Sequence, residues 1–240
     1  MAAERSGDGQ AAEQTFRPLE SDDLATRIAG QIVEAIGDGR LRPGEKVTEL
    51  RLSKEMGTSR APVREALRLL ESQGLIVSHP RRGFFVHSYD TGELEEIYDL
   101  RMCLELHAAE RALERLIPAD VDRLEAQVQL MYRLGRAGAA QEQVAADYAF
   151  HRMVCEIGGN ERIVKIFDTL ATEMRSGIAL IGSLYDDPVR IAETHDPIVA
   201  ALRNRDAAEL RRRLTAHIAD AQKQVVKLFE KARGPAAARE

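Results

Sequence analysis

Apolar positions in the first ninety residues change period several times. From Leu24 they recur at Ile28, Ile32, Val33 and Ile36, the spacing of one helix face, and Gly37 and Gly39 end the run. Pro43-Gly44 then predicts a turn, Lys46-Val47-Thr48 a short strand, and Leu50, Leu52 and Met56 a short amphipathic helix that stops at Gly57. A longer helix is expected from Ser59. The Ser59 hydroxyl is placed to cap it, and Pro62 falls in the first turn, where a missing N–H costs nothing. Val63, Ala66, Leu67 and Leu70 form its apolar stripe, while Arg60, Arg64 and Arg68 repeat every four residues on an adjacent face. After Gly74, residues 75–79 and 83–87 are rich in β-branched and aromatic side chains. They flank Pro80-Arg81-Arg82-Gly83, which predicts a hairpin with a basic tip.

From Asp90 the pattern turns to long helices with almost no strand signal. They are expected at 91–115, 118–136, 140–157, 160–182, 187–204 and 206–232, broken by Pro118, Gly135 to Gly138, Gly158-Gly159 and Asp186-Asp187-Pro188. The expected fold is mainly α: an N-terminal winged helix-turn-helix with a small β-hairpin wing over 21–88, then an all-α helical bundle over 89–240. Residues 1–20, rich in Ala, Gly, Gln and charge and without periodicity, are expected to form a disordered tail.

Composition narrows the function. No apolar run approaches the ~18 residues of a membrane span, and the start of the chain lacks the basic and apolar stretches of a secretory signal, so a cytoplasmic protein is expected. Cys103 and Cys155 stand far apart without a CxxC arrangement and read as reduced core residues. The net charge of -5 conceals an asymmetry: residues 40–82 hold ten Lys or Arg against five Asp or Glu, whereas residues 89–240 hold 21 against 26. A basic window on an acidic chain is a local footprint for nucleic acid.

That window contains a short helix, a tight turn at Gly57-Thr58 and a second helix opening with Ser59-Arg60, a helix-turn-helix whose second helix enters the major groove of double-stranded DNA. Arg60 and Arg64 are placed to reach base edges, where Arg bonds guanine O6 and N7 in bidentate fashion. Arg51, Thr58 and Ser59 are placed to hold phosphates, with Arg68 further along. Arg81, Arg82 and Gly83 form a hairpin tip able to enter the neighbouring minor groove. Taken singly, any of these arginines reads equally well as a solvated helix face.

Residues 24–88 resemble the N-terminal domain of GntR-type regulators. The resemblance rests on Arg42-Pro43-Gly44, Leu52-Ser53, Gly57-Thr58-Ser59-Arg60-Ala61-Pro62-Val63-Arg64-Glu65-Ala66-Leu67 and Gly74-Leu75-Ile76. The helical remainder resembles the FadR-like branch and its FCD ligand-binding domain. The resemblance implies a homodimer on a short inverted repeat, with an effector that alters DNA affinity and repression as the common mode.

Asp147 and His151 lie four residues apart on an expected helix, so both project from one face. His195 and His217 fall on two later expected helices amid apolar neighbours. Brought together, one carboxylate and three imidazoles suit a borderline divalent cation such as zinc, nickel or manganese; from spacing alone the metal signal is weak, since histidines in separate helices are more often core or surface residues than ligands. The resemblance adds that FCD domains carry an Asp-x-x-x-His pair and two later histidines as a metal site, which Asp147, His151, His195 and His217 match, with zinc the first candidate. It also implies that Arg101 holds the effector. The alternative for Arg101 is an exposed ion pair with Glu105 at i,i+4. Metal and guanidinium together favour a small carboxylate effector. Tyr148 and His107 are candidates to line the cavity, Asn160 reads as a helix cap, and His79 and His87 as surface or packing residues. Two readings compete: a metal-dependent hydrolase, which lacks a His-Glu-x-x-His helix and leaves the DNA-binding half unexplained, and a metal-ion sensor.

Overall fold

The computed structural model describes residues 23–37, 39–179 and 188–233, so the expected tail and residues 180–182 of the expected fourth bundle helix lie outside it. Its first unit comprises α1 (Asp23–Gly37), β1 (Lys46–Val47), α2 (Glu49–Glu55), α3 (Arg60–Ser72), β2 (Ile76–His79) and β3 (Gly83–Val86). Ile28, Ile32 and Ile36 of α1 meet Val63, Leu67 and Leu70 of α3 and Phe84 and Val86 of β3 in one core. The i, i+4 and i, i+7 spacings read from the sequence are therefore the faces that pack. The three strands lie in the order β1-β3-β2, all antiparallel, with Lys46 opposite Phe85 and Ser78 opposite Phe84. At the hairpin tip Arg82 N donates to the His79 carbonyl at 3.0 Å. Arg81 takes φ 63°, the third position of a type II turn, which normally asks for glycine.

Three local expectations change. Ser59 occupies the N-cap of α3, yet its hydroxyl makes no capping bond. Leu50 points outward and is exposed, leaving Leu52 to anchor α2. Thr48 belongs to no strand and instead caps α2, accepting from Arg51 N at 3.2 Å.

The second unit holds α4 (Thr91–Arg115), α5 (Pro118–Ala137), α6 (Ala140–Ile157), α7 (Glu161–Ala179), α8 (Pro188–Glu193), α9 (Asp196–Arg203) and α10 (Ala207–Arg233). A capping box opens α4: Asp90 accepts from Glu93 N at 2.9 Å, and Glu93 accepts from Asp90 N at 2.8 Å. Asn160 accepts from the Arg162 and Ile163 amides and so caps α7 as expected. Helix α4 is central, packed against α6, α7 and α10, while α5 packs on α6, α8 and α9.

The single helix expected at 187–204 is two helices meeting at Thr194-His195. Pro197 has no N–H to donate back to Glu193, and the bonds around the break tighten to His195 N→Ala192 O and Ile198 N→His195 O, each 3.0 Å. His195 thus sits at the N-cap of α9 rather than inside a helix. Cys155 is buried as expected, but Cys103 is exposed, because α4 turns it away from the core.

The two units meet where the wing returns to α4. Tyr89 is buried, its hydroxyl donates to the Gly74 carbonyl at 3.2 Å, and the His87 ring, packed on Tyr89, donates from Nδ1 to the same carbonyl at 2.7 Å. Helix α1 also packs on α7. Among the described residues, no helix is long and apolar enough to cross a membrane.

Candidate functional site

The N-terminal unit presents one basic face. Arg60, Arg64 and Arg68 are exposed along α3, while its other side fills the core. Arg64 donates from Nε and Nη2 to the two Glu49 carboxylate oxygens at 2.6 and 2.8 Å. Arg68 donates to Glu71 at 2.6 Å and lies over the Phe84 ring at 5.2 Å, so it also braces α3 against the sheet. Arg51 donates from Nη1 to Glu45 at 2.9 Å. Ser59 is exposed and Thr58 half-buried in the turn. Arg81, Arg82 and Gly83 are exposed at the wing tip, with Arg82 over Phe85 at 5.5 Å and Lys46 over the same ring at 5.9 Å. Lys46, Phe85 and Glu49 were not among the residues placed on the DNA-facing surface from the sequence; the pairings across β1 and β3 and between α2 and α3 bring them in.

The helical unit encloses a polar cluster. Helix α6 supplies Asp147 and His151, the α8–α9 break supplies His195, and α10 supplies His217. All four are buried. His151 Nε2 lies 3.2 Å from His195 Nε2 and 3.1 Å from His217 Nε2. Asp147 Oδ1 is 3.3 Å from His195 Nε2 and 4.0 Å from His151 Nε2. Four ligand atoms, one from each residue, all lie within 4.8 Å of one another. A tetrahedral ion with bonds of about 2.0–2.1 Å separates its donors by about 3.3 Å, close to the shorter of these contacts.

Hydrogen bonds on the far side of two rings orient those donors. His195 Nδ1 lies 2.7 Å from the Ile191 carbonyl, which only accepts, so the proton sits on Nδ1 and Nε2 offers a lone pair. His151 Nδ1 likewise faces Glu105 Oε2 at 2.6 Å. Two lone pairs then oppose each other at 3.2 Å, an arrangement that a divalent cation turns from repulsive to attractive. Burial lowers the pKa of His195 to about 4 and those of His151 and His217 well below the ordinary value, keeping the imidazoles neutral. Burial raises Asp147 to about 7, against the pull of Arg101 and with a push from Glu105.

Arg101 on α4 donates from Nε to Glu105 Oε1 at 2.5 Å, so Glu105 bridges the guanidinium and the His151 ring. The sequence alternative of an Arg101–Glu105 pair holds in its partners but not its place: the side chains are 1% and 0% exposed. Burial works against the Arg101 charge, and the combined pull of Glu105, Tyr98, Asp147 and Tyr148 outweighs it, so the guanidinium stays protonated. Arg101 lies between the Tyr98 and Tyr148 rings, 5.5 and 5.9 Å away, and its Nη2 is buried with no hydrogen-bond partner among the described residues. Tyr148 is buried beside Arg101. His107 is exposed on the outer face of α4, away from this interior. Glu105 and Tyr98 are the members missed. Their signal was present, since Tyr98, Arg101 and Glu105 fall on the stripe of Leu94, Ile97, Ala108 and Ala112, and a charged pair inside an apolar stripe marks a polar interior.

Comparison with known proteins covers both units. The "Bacterial regulatory proteins, gntR family" profile matches residues 24–86 and the "FCD domain" profile residues 96–220. The chain is 30% identical over 208 residues to a probable D-xylose utilization operon transcriptional repressor of Paenarthrobacter nicotinovorans, covering 86% of this chain and 91% of that protein. It is 28% identical over 216 residues to the gluconate operon transcriptional repressor of Bacillus subtilis, covering 88% of each. A shorter match, 30% over 139 residues, spans 58% of this chain and 62% of the regulator YdhC of Bacillus subtilis. Among solved structures, E. coli McbR/YncC superposes with a TM-score of 0.75 over 88% of this chain and all of that one, at 22% identity, a likeness of fold.

Proposed function

This chain belongs to the GntR family of bacterial transcriptional regulators, its helical half being an FCD domain, and from that premise we propose that it is a repressor that binds an inverted-repeat operator as a homodimer and answers to a small carboxylate effector held beside a divalent metal ion. Both families are families of regulators rather than enzymes, which removes the hydrolase reading. Residues 21–88 carry the DNA contacts: Arg60 and Arg64 on base edges, Arg51, Thr58, Ser59 and Arg68 on phosphate, and Arg81, Arg82 and Gly83 in the minor groove. Residues 89–240 carry the effector site and the dimer contact. One recognition helix reads one half-site, so a second copy supplies the second half-site and multiplies selectivity.

The observation that carries the effector reading is the buried, unpartnered Arg101 Nη2 beside four convergent metal donors. An unsatisfied charged donor in the interior is costly, and a ligand carboxylate relieves it. Asp147, His151, His195 and His217 would hold the ion. Zinc suits this nitrogen-rich donor set, with nickel and manganese as alternatives, and the ion would attract a second oxygen of the same ligand. A relative named for a gluconate operon is in keeping with a carboxylate.

The test is a thermal-shift screen of the purified protein against small organic acids, before and after chelation. The expected result is a stabilising acid whose effect vanishes on chelation, returns with zinc, nickel or manganese, and changes affinity for operator DNA. Binding that persists without metal leaves Arg101 as the recognition element and makes the ion structural. If no acid binds in either state and operator affinity follows the metal alone, the protein is a metal sensor and the effector reading is wrong.

A further inference from the structure

Glu49 puts a carboxylate among the arginines that face DNA. It is the first residue of α2, its side chain is 21% exposed, and besides Arg64 it feels the charges of Arg60 and Arg68. Hydrogen bonds from Arg64 hold its pKa below the ordinary carboxylate range, so it is an anion at neutral pH. An anion on this face repels phosphate and weakens binding to every duplex. Its contribution has to come from elsewhere.

The geometry of the pair supplies one. A guanidinium presents five N–H groups on three edges. Glu49 takes the Nε and Nη2 edge of Arg64 with both of its oxygens. The terminal edge, Nη1 with the second Nη2 hydrogen, still points along the side chain, and that edge matches guanine O6 and N7 together. Of the three arginines along α3, Arg64 is the one gripped through two nitrogens by a single carboxylate among the described residues; Arg68 meets Glu71 through Nη1. Without its partner, a side chain 61% exposed would sample many rotamers and lose that freedom on binding.

We propose that Glu49 is a specificity-determining positioning residue: its carboxylate locks the Arg64 guanidinium so that the terminal fork reads a guanine in each half-site. The inference rests on Arg64 contacting a base. Glu49 itself touches no base; it lowers affinity for all DNA while raising the preference for one sequence.

The experiment uses the full-length protein, an operator duplex selected by that protein from a random library, and an unrelated duplex of equal length. Affinities are measured for wild type, Glu49→Gln, Glu49→Asp, Arg64→Ala and the Glu49→Gln/Arg64→Ala double variant, after melting curves show that each is folded. Glu49→Gln is expected to bind the unrelated duplex more tightly, yet to lose about 3- to 10-fold in the operator-to-unrelated ratio, the freezing-out of one long side chain. That loss maps to a single G·C position. Glu49→Asp keeps the charge but shortens the arm; it is expected to lose the ratio without gaining general affinity. On the Arg64→Ala background, Glu49→Gln should shift both duplexes equally. If Arg64→Ala lowers the ratio and Glu49→Gln leaves it intact, Glu49 is a bystander and the proposal falls. If Arg64→Ala itself leaves the ratio unchanged, the base contact falls, and its support with it.

Discussion

Gly158, at the end of α6, lies tight against the Ala108 backbone of α4, the helix that carries Arg101 and Glu105, so Gly158→Ala probes fold and site together. An alanine Cβ there would lie 2.6 Å from the Ala108 carbonyl oxygen, 3.3 Å from its carbon and 3.2 Å from the Cys155 carbonyl oxygen. Carbon–oxygen contacts settle at about 3.3–3.6 Å, so relief requires α4 and α6 to part by about 0.7–1 Å. Both obstacles are backbone and neither can swing aside. Gly158 has φ -59°, so the change brings no relief of backbone strain. Overpacking of this kind costs about 1–3 kcal/mol, or a fall in melting temperature of about 2–12 °C for a chain of this size. The same separation pulls Glu105 on α4 away from His151 on α6, now 2.6 Å apart, and loss of such an orienting partner lowers metal affinity by about 10- to 100-fold. Scanning calorimetry and a zinc titration measure the two effects. Gly30→Ala is the control: Gly30 is exposed within α1 with nothing within 4 Å of an added Cβ, and alanine there should stabilise by about 0.5–1 kcal/mol. A Gly158→Ala protein that melts no lower than wild type and takes up zinc as tightly would refute the close-packing argument.

Three further outcomes are expected. Arg81→Gly should raise stability to urea by about 0.5–1 kcal/mol by relieving the left-handed backbone at φ 63°; operator affinity should fall and its salt dependence should weaken by about 0.9 in slope for each phosphate no longer neutralised. Arg205, at φ 52°, donates to the Leu113 and Leu116 carbonyls at the end of α4, so Arg205→Ala should cost about 1.5–3 kcal/mol and Arg205→Gly less, in that order by chemical denaturation. Zinc at a hundredfold excess over its Kd should stabilise the chelated protein by about 2.7 kcal/mol in a thermal shift, and His217→Ala should abolish that gain; an equal gain in the variant would remove His217 from the metal site.

Much of this protein was legible from local pattern. The helices of the basic unit, the hairpin with its Arg81-Arg82 tip and the bundle helices from 91 to 157 follow from period, caps and breakers, which act within a few residues and need no knowledge of the fold. Asp147 and His151 are equally local, since a spacing of four places both on one face wherever that helix packs. Arg101 and Glu105 carry the same spacing, and that spacing is identical for an exposed ion pair and a buried one. Packing of α6 and α10 over α4 decided between them, and it turned Cys103 and His107 outward on the same helix. His195 reaches the cluster because Pro197 breaks the run, a signal present in the chain but outweighed by the apolar period on both sides of it. The Glu49–Arg64 pair joins residues fifteen apart on two helices, and no pattern in the chain encodes it. Periodicity is a property of neighbours along the chain and could be read there. Burial, tautomer and the meeting of donors depend on which helices share a core, and that was settled when the chain closed on itself.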